Sequence, residues 1–374
     1  MSGSDSRPVI AVSGLHRGES PQPGGAVIES VRAELPEARL IGISYDLMET
    51  GLHSVGPDRV DAAYLFPYPG AGPKEFIDRL RFVHEQENIA LIIPTLDSEL
   101  ANLIGLYREL DEMGIKVLVP SAASLAGREK PALAELGQSA NVPVPRTYAA
   151  QSADVLARCA LEIGYPCYVK GALYDAKLVH HEGELFAAFK AIYDVWGGPV
   201  LLQQAVFGEE FVVAGIGDGK GGIVAQCALR KLLRTRLGKA FGGVVIDNPD
   251  MAEEAARLIR ALKWEGPFEI EFVQPLGGKR YLFEINPRFP AWISFPAKLG
   301  CNMPAWAACK ALGMRLPELQ PCPPGKMFLR HCEDIVTDIS AVADMSIDLK
   351  TERRQIDVAA GRDGDREEGN ARHE

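Results

Sequence analysis

The sequence predicts an α/β unit with a parallel sheet, followed by an α+β unit built on antiparallel strands. In the first 120 or so of its 374 residues, short apolar runs alternate with amphipathic stretches, which is typical of βαβ units. After Pro120, strand-like runs come in pairs joined by short glycine-rich segments, which is typical of β-hairpins. A chain of this length is expected to hold two or three domains.

The first unit is predicted strand by strand from its apolar runs. We expect parallel strands at 8–14, 39–44, 62–66, 89–94 and 115–120, with helices at 26–35, 76–86 and 100–113. Ligands of parallel sheets bind beyond the carboxyl ends of the strands, where the glycine-rich loop 14–25 follows the first strand.

The second unit mixes helices with antiparallel strands. We expect helices at 130–138, 184–195 and 251–262, strands at 165–170, 178–179 and 200–206, and hairpins that pair 211–216 with 223–229 and 268–273 with 280–285. The pattern Gly217-x-Gly219-x-x-Gly222 matches a dinucleotide fingerprint, but it lies between two strands and no helix follows it. It is therefore interpreted as a hairpin turn.

Composition narrows the class of protein. The chain has 40 basic and 50 acidic residues and a net charge of −10, which argues against a dedicated nucleic-acid binder. No apolar run approaches the roughly 18 residues of a membrane span, and residues 1–7 are polar, so a cytoplasmic protein is expected. The seven cysteines include no Cys-x-x-Cys pair and are interpreted as small buried or half-buried thiols.

Oxygen ligands occur on both strands of the last predicted hairpin. Glu284 and Asn286 lie two residues apart and so share one face of their strand, and Glu271 on the preceding strand could stand beside Glu284. Facing carboxylates repel unless a cation lies between them, and carboxylate and amide oxygens suit Mg²⁺. The alternative is a solvated polar face.

The order of several short segments resembles one superfamily. Lys130 comes before a helix, Lys170 ends a strand, Gln-Gln-Ala-Val at 203–206 leads to Gly-Glu-Glu at 208–210, and Glu271 precedes Glu-Ile-Asn-Pro-Arg at 284–288. Over about residues 8–330 the chain resembles the ATP-grasp enzymes, in the branch that holds carbamoyl phosphate synthetase, biotin carboxylase and many carboxylate–amine ligases. The segment Thr-Leu-Asp-Ser-Glu-Leu at 95–100 also looks like the N-terminal domain of this branch.

The resemblance implies a role for each matching residue. Lys130 and Lys170 would neutralise nucleotide phosphates, Gln204 and Val206 would hold adenine, and Glu210 would bind the ribose. Glu271, Glu284 and Asn286 would bind Mg²⁺ (or Mn²⁺), and Arg288 would hold the transferring phosphoryl group or an acyl phosphate. Arg288 and Lys170 are the catalytic candidates.

The implied function is ADP-forming ligation of a small-molecule or peptide carboxylate to an amine, with ATP as cosubstrate. Three alternatives stay open: a bicarbonate-activating carboxylase-type enzyme, a phosphotransferase of the same fold, and a non-catalytic nucleotide-binding module. The implied domains are a Rossmann-like pre-ATP-grasp domain at 1–120, a two-lobed ATP-grasp domain at 121–335 and a C-terminal segment at 336–374. No nucleic-acid or membrane partner is expected, and a homodimer is left open.

Four further segments carry expectations. The segment 171–177, after Lys170, is short and has one glycine, unlike the glycine-rich phosphate loop of many relatives, so 234–243 is the alternative lid. The basic segment 230–239 is either a solvated face or an anion clamp, which Arg330 and His331 could join. The aromatic run 289–295 lines an acceptor pocket or belongs to the core. From Lys350 onward, 13 of 25 residues are charged, which predicts a tail that does not pack.

Overall fold

The computed structural model describes residues 7–171 and 175–352, and its first sheet has six strands. Five of them are parallel and are ordered β3-β2-β1-β4-β5. Their bounds are β1 Val9–Ser13, β2 Arg39–Ser44, β3 Ala62–Leu65, β4 Leu91–Ile93 and β5 Lys116–Val117. The strand order reverses at β1 and β4, so the crevice beyond their carboxyl ends is where this type of sheet binds ligands.

Helices cover both faces of this sheet. They are α1 Gly24–Glu34, α2 Pro73–Glu87, α3 Asp97–Gly105 and α4 Tyr107–Glu112, with 3₁₀ turns at Thr50–His53 and Pro69–Ala71. Alternate strand residues enter the cores on the two faces: Ile10 packs with α1, while Ala11 packs with α2. The predicted helix at 100–113 is two helices, because the chain turns at Leu106 after Gly105.

The rest of the chain forms two antiparallel sheets. The four-stranded sheet has the order β6-β9-β7-β8 and packs against two helices; its elements are β6 Thr147–Ala150, α7 Ala153–Ile163, β7 Cys167–Lys170, β8 Ala176–Val179, α8 Glu182–Trp196 and β9 Val200–Gln204. The connection from the first sheet carries α5 Ala122–Gly127 and α6 Leu133–Ala140. The predicted helix at 130–138 thus begins three residues late, and Lys130 lies in the turn before α6.

The six-stranded antiparallel sheet has the order β14-β13-β10-β11-β12-β15. Its strands are β10 Glu209–Asp218, β11 Ile223–Arg234, β12 Ala240–Val245, β13 Glu265–Gln274, β14 Tyr281–Asn286 and β15 Met327–Leu329. Helix α9 Pro249–Leu262 covers one face, and α10 Ser294–Lys298 and α11 Met303–Ala311 join the other face to α1 of the first sheet. The two hairpins predicted from sequence, β10–β11 and β13–β14, are both present.

The C-terminal segment corrects one prediction. Helix α12 Ile339–Asp348 leads to β16 Lys350–Glu352, which pairs antiparallel with β3 at the edge of the first sheet. Leu349 accepts hydrogen bonds from the Leu65 backbone at 3.0 Å and from Arg79 Nη2 at 2.7 Å. The prediction that nothing packs from Lys350 onward is wrong for 350–352, because β3 offers free backbone groups that a charged strand can pair with. The rest of the predicted tail, 353–374, lies outside the described residues.

Helix length bears on the membrane prediction. Within the described ranges 7–171 and 175–352, no helix is both long and apolar enough to cross a bilayer.

Candidate active site

Three acidic side chains and one amide share a face of the β13–β14 hairpin. Glu271 lies directly opposite Glu284 in the strand register, and Glu269 lies opposite Asn286. The Asn286 amide donates to Glu269 Oε2 at 3.1 Å and to Glu271 Oε1 at 3.3 Å. The predicted juxtaposition of Glu271, Glu284 and Asn286 is confirmed, and it follows from strand alternation combined with the short hairpin.

The carboxylates of this cluster are crowded. Burial raises the pKa of Glu269 to about 7, and the neighbouring Glu271 carboxylate adds to the rise. Glu284 reaches the open cleft, yet enclosure by protein atoms and then the charges of Glu271 and Asp97 raise its pKa as well. A cation placed between these oxygens would relieve the repulsion, so the residues present fit a divalent metal.

The donors available to such a metal are hard oxygens. Among the residues in 7–171 and 175–352, no three His, Cys, Asp or Glu side chains form a metal-binding group by themselves. A metal at this hairpin would therefore need the Asn286 amide oxygen and ligands from outside the protein. That donor set is typical of Mg²⁺, which usually keeps waters or substrate phosphates in its coordination shell.

Two lysines from different elements face this hairpin. Lys170, at the end of β7, donates to Gln203 Oε1 at 2.7 Å and lies 4.9 Å from the ring centre of Phe283. Lys130 reaches across to the Gly171 carbonyl at 3.4 Å. Burial lowers the pKa of Lys170 to about 8, and the positive charge of Lys130 lowers it further while Glu284 opposes the fall. Burial also lowers the pKa of Lys130. The fold therefore brings the two lysines close together, and their binding of nucleotide phosphates stays a prediction.

The segment after Lys170 is only partly described. Gly171 and Asp175 are connected by a backbone hydrogen bond of 3.1 Å, and β8 starts at Ala176. Residues 172–174 of the predicted short loop lie outside the described residues.

The strand end at β9 and the start of β10 border the same cleft. Gln204 ends β9, where its backbone N–H donates to the Arg146 carbonyl at 2.8 Å and its side chain accepts from the Arg146 N–H at 3.3 Å. Val206 is half-buried in the connection that follows. Glu210, near the start of β10, makes ion pairs with Arg234 and, at 3.3 Å, with Lys231.

Lys231 links the cluster to this region. Its side chain is 1% exposed, and its ammonium lies 2.7 Å from Glu271 Oε2. Of the predicted basic segment, Lys231 is therefore buried, whereas Arg230 and Arg234 make partly exposed ion pairs with Glu209 and Glu210. Charge pairing within the sheet, rather than a uniform basic face, organises this segment.

Arg288 is held by the first sheet. Its Nε donates to Asp97 Oδ1 at 2.8 Å, and Arg128 lies 3.4 Å from the other oxygen of the same carboxylate. Burial opposes the charge of Arg288, but the carboxylates of Asp97 and Glu269 outweigh it and raise its pKa. Asp97 begins α3, directly beyond the carboxyl end of β4, so the two parts of the chain meet at this ion pair.

A buried carboxylate braces the loop that carries Asp97. Glu99 is 2% exposed and accepts hydrogen bonds from the backbone N–H groups of Thr95 and Leu96, both at 3.0 Å, and from the Tyr45 hydroxyl at 2.6 Å. Ser13, at the end of β1, donates to the same carboxylate. A carboxylate with this many donors fixes the loop, and through it the position of Asp97.

Sequence reasoning missed three residues of this site as individuals: Asp97, Glu269 and Lys231. Each had a signal. Asp97 follows a central parallel strand at the ligand-binding edge, and Glu269 lies two residues before Glu271 on the same strand face. In β11, Lys231 lies two positions after the apolar Leu229 and two positions before the apolar Leu233. From this position the Lys231 side chain faces the hairpin carboxylates.

Other sequence features have simpler roles. Phe289, Trp292 and Ile293 are buried in the core, and the Trp292 indole also donates to Glu269 Oε1 at 2.8 Å. The aromatic run is therefore core rather than an open pocket wall. The turn at Gly217–Gly222 joins β10 to β11, as predicted. Four cysteines are buried and Cys159 and Cys322 are half-buried, as predicted, whereas Cys332 is exposed and departs from the prediction.

Comparison with known proteins agrees with this architecture. Residues 199–331 match the family described as "ATP-grasp in the biosynthetic pathway with Ter operon". The carbamoyl phosphate synthase large chain of Thermus thermophilus is 26% identical over 274 residues, which cover 67% of this chain and 26% of the relative. That of Methanothermobacter thermautotrophicus is 26% identical over 321 residues, covering 79% of this chain and 29% of the relative. The chain thus spans little more than a quarter of the length of these relatives.

Solved structures show the same fold at low identity. The biotin carboxylase of Campylobacter jejuni in complex with β,γ-ATP has a TM-score of 0.65 at 18% identity and covers 84% of this chain and 72% of that one. The ADP complex of PurK, N5-carboxyaminoimidazole ribonucleotide synthetase, has a TM-score of 0.64 at 14% identity, covering 85% of this chain and 81% of that one.

The sheets, the hairpin cluster and these matches together define the class. The chain carries an ATP-grasp domain and is homologous to the carbamoyl phosphate synthase large chain.

Proposed function

We propose that this protein is an ADP-forming carboxylate–amine ligase that uses Mg-ATP and acts through an acyl phosphate. The observation that carries the proposal is the hairpin cluster, in which Glu271 and Glu284 face each other beside Asn286, while two half-buried lysines approach from the end of β7 and from the turn before α6. Carboxylates that face lysines across a cleft can together hold a metal-bound polyphosphate. Phosphoryl transfer depends mainly on positioning the phosphates and neutralising their charge.

The nucleotide would lie between the two antiparallel sheets. Lys130 and Lys170 would bind its phosphates as point charges, since buried ammonium groups gain most from an anion. Gln204 and Val206 would contact adenine through backbone groups at the strand end. Glu210 would bind the ribose, sharing its carboxylate with Lys231 and Arg234.

Glu271, Glu284 and Asn286 would hold Mg²⁺, which supplies charge neutralisation for the transferring phosphoryl group when it is bound. Arg288 would hold the phosphoryl group as it reaches the acid, and Asp97 would keep the Arg288 guanidinium in place. The carboxylate oxygen of the acid would attack the γ-phosphorus and release ADP; the amine would then attack the acyl carbon and release phosphate. The domain boundaries 1–120, 121–335 and 336–374 remain part of this proposal.

The test is an ADP-release assay over a panel of acids and amines, with mass spectrometry of the products. The ligase predicts ADP release that depends on both an acid and an amine, and a product joined by an amide. A phosphoester product would contradict the ligase and leave a phosphotransferase. Nucleotide binding without any turnover would favour a non-catalytic module.

A bicarbonate-activating enzyme is the second candidate, because carbamoyl phosphate synthase and biotin carboxylase are among the similar proteins. It predicts ADP release with bicarbonate alone or with bicarbonate and an amine. Bicarbonate-free buffer separates it from the first candidate, since the ligase keeps its activity there.

A variant tests the metal cluster in either case. Glu284→Gln removes one carboxylate charge at the open cleft and should lower turnover at least a hundredfold, or about 2.7 kcal/mol. Its matched control is Glu253→Gln, which changes an exposed glutamate on α9 far from the hairpin face. Full activity of the Glu284 variant would refute the assignment of this residue.

A further inference from the structure

Two cations near Arg288 have no carboxylate within ion-pair distance in the described part of the chain. The Lys239 ammonium donates to the Pro21 carbonyl at 3.3 Å, and Arg330 donates through Nη2 to the Ala291 carbonyl at 2.6 Å. Among the residues that the structure describes, no carboxylate lies within 4.0 Å of either side chain. Neighbouring cations differ in this respect, since Lys231 and Arg288 both make close ion pairs.

Both cations are partly buried, and the Arg330 Nη1 atom is buried without a hydrogen-bond partner. Burial lowers the pKa of Lys239, and the guanidinium groups of Arg288 and Arg330 lower it further, while the charges of Glu269 and Asp97 oppose the fall. Burial likewise lowers the pKa of Arg330. Gathering like charges away from water is costly, and in a protein of net charge −10 it is not a consequence of overall composition.

Three parts of the fold meet around these cations. Lys239 lies in the turn between β11 and β12, Arg330 follows β15, and Pro21 belongs to the loop after β1 at the ligand-binding edge of the first sheet. The Arg330 backbone N–H donates to the Phe241 carbonyl at 3.0 Å, which fixes the end of β15 against the start of β12. The hydroxyl of Ser20, next to Pro21, is also buried without a partner.

We infer that Lys239 and Arg330 form a second anion site, so that the acid substrate carries two anionic groups. The inference rests on the proposed function. One carboxylate of the acid is activated beside Arg288, and the other anionic group, a carboxylate or a phosphate, binds Lys239 and Arg330. A single carboxylate at Arg288 would supply no acceptor for the buried Arg330 Nη1, whereas a second anionic group would pair with both cations and accept from that atom.

The experiment is a calorimetric titration of the full chain with three acids, run with and without saturating Mg²⁺ and the non-hydrolysable analogue AMP-PNP. Glutarate offers a second carboxylate, 3-phosphoglycerate offers a phosphate, and butyrate offers one carboxylate alone. We expect at least one of the two dianions to bind tenfold or more tightly than butyrate, and the better one identifies the second group. Dianions that bind no better than butyrate under both conditions would overturn the inference.

The variants Lys239→Gln and Arg330→Gln locate the site. Each should weaken binding of the preferred dianion about tenfold or more and leave butyrate and AMP-PNP binding unchanged. Lys310→Gln removes an exposed charge from α11 and is the matched control. Unchanged dianion binding in both variants would refute the site. If Arg330→Gln lowers the melting temperature of the ligand-free protein, Lys239→Gln alone decides.

The titration also separates this inference from the proposed function. AMP-PNP binding with no preference for dianions would refute the second anion site and leave the ATP site standing. A preference for dianions without any AMP-PNP binding would refute the proposed use of ATP.

Discussion

The lowered pKa of Lys170 predicts that nucleotide affinity falls in mildly alkaline solution. A phosphate-binding lysine must carry its proton, and burial holds the pKa of this one at about 8 in the ligand-free protein. Above that pH the empty site loses the proton, so binding must take a proton up from solution. Affinity therefore falls as pH rises through 8, whereas an ordinary lysine, with a pKa of 10.5, would show no change there.

The size of the effect follows from the fraction of protonated lysine. Between pH 7 and pH 9 this fraction falls about tenfold for a pKa of about 8, which corresponds to roughly 1.4 kcal/mol of binding free energy. The same shift predicts that the ligand-free protein gains stability as pH rises from about 8 toward 10.5, because the unfolded chain then binds more protons than the folded one.

The assay is calorimetric titration with Mg-ADP at pH 7, 8 and 9 in buffers of different ionisation enthalpy, which also counts the protons taken up. Lys170→Arg keeps its charge at every pH and should bind with nearly constant affinity. Lys190→Arg, at an exposed position on α8, should behave like the unmodified protein. Equal affinity of the unmodified protein at pH 7 and pH 9, with no proton uptake, would refute the assignment of Lys170 to the phosphates.

Three further predictions concern the cleft and the thiols. Asp97→Asn should lower the turnover number about tenfold or more and leave the melting temperature within a few degrees, because it loosens Arg288 without opening the core. Steady-state kinetics and a thermal melt check this. Asp97→Glu should recover part of the lost turnover. Truncation after Glu352 should keep ADP release near its full rate, whereas truncation before Lys350 should lower the melting temperature by exposing the edge of β3. A thiol reagent at pH 8 should label Cys332 first, because this residue is exposed. It should label Cys301 last, because a hydrogen bond with Cys322 and then burial raise the pKa of Cys301. Peptide mapping at successive times gives the order of labelling.

Local patterns were enough to predict most of the elements and the hairpin cluster. Strand alternation depends only on neighbouring residues, so Glu284 and Asn286 could be assigned to one face, and a six-residue connection sets Glu271 opposite Glu284. The family resemblance added Lys130 and Lys170, which lie in a turn and at a strand end forty positions apart and whose approach has no local signal.

Contacts between distant segments were beyond the sequence. Asp97 and Arg288 are 191 positions apart, and only the packing of the first sheet against the antiparallel part brings them together. The strand β16 was missed for a related reason. Its three residues are polar and short, and they form a strand only because β3 has unpaired backbone groups at the edge of its sheet.

The pairing of β16 with β3 has a consequence for synthesis on the ribosome. The five parallel strands are complete once residue 117 has emerged, but the outer edge of β3 has no partner until residue 352 follows. During most of translation the nascent N-terminal unit therefore presents an open strand edge, a surface through which partly made chains can join one another. The helix and strand at 339–352 cover that edge, so its closure has to wait until nearly all of the described chain has been synthesised.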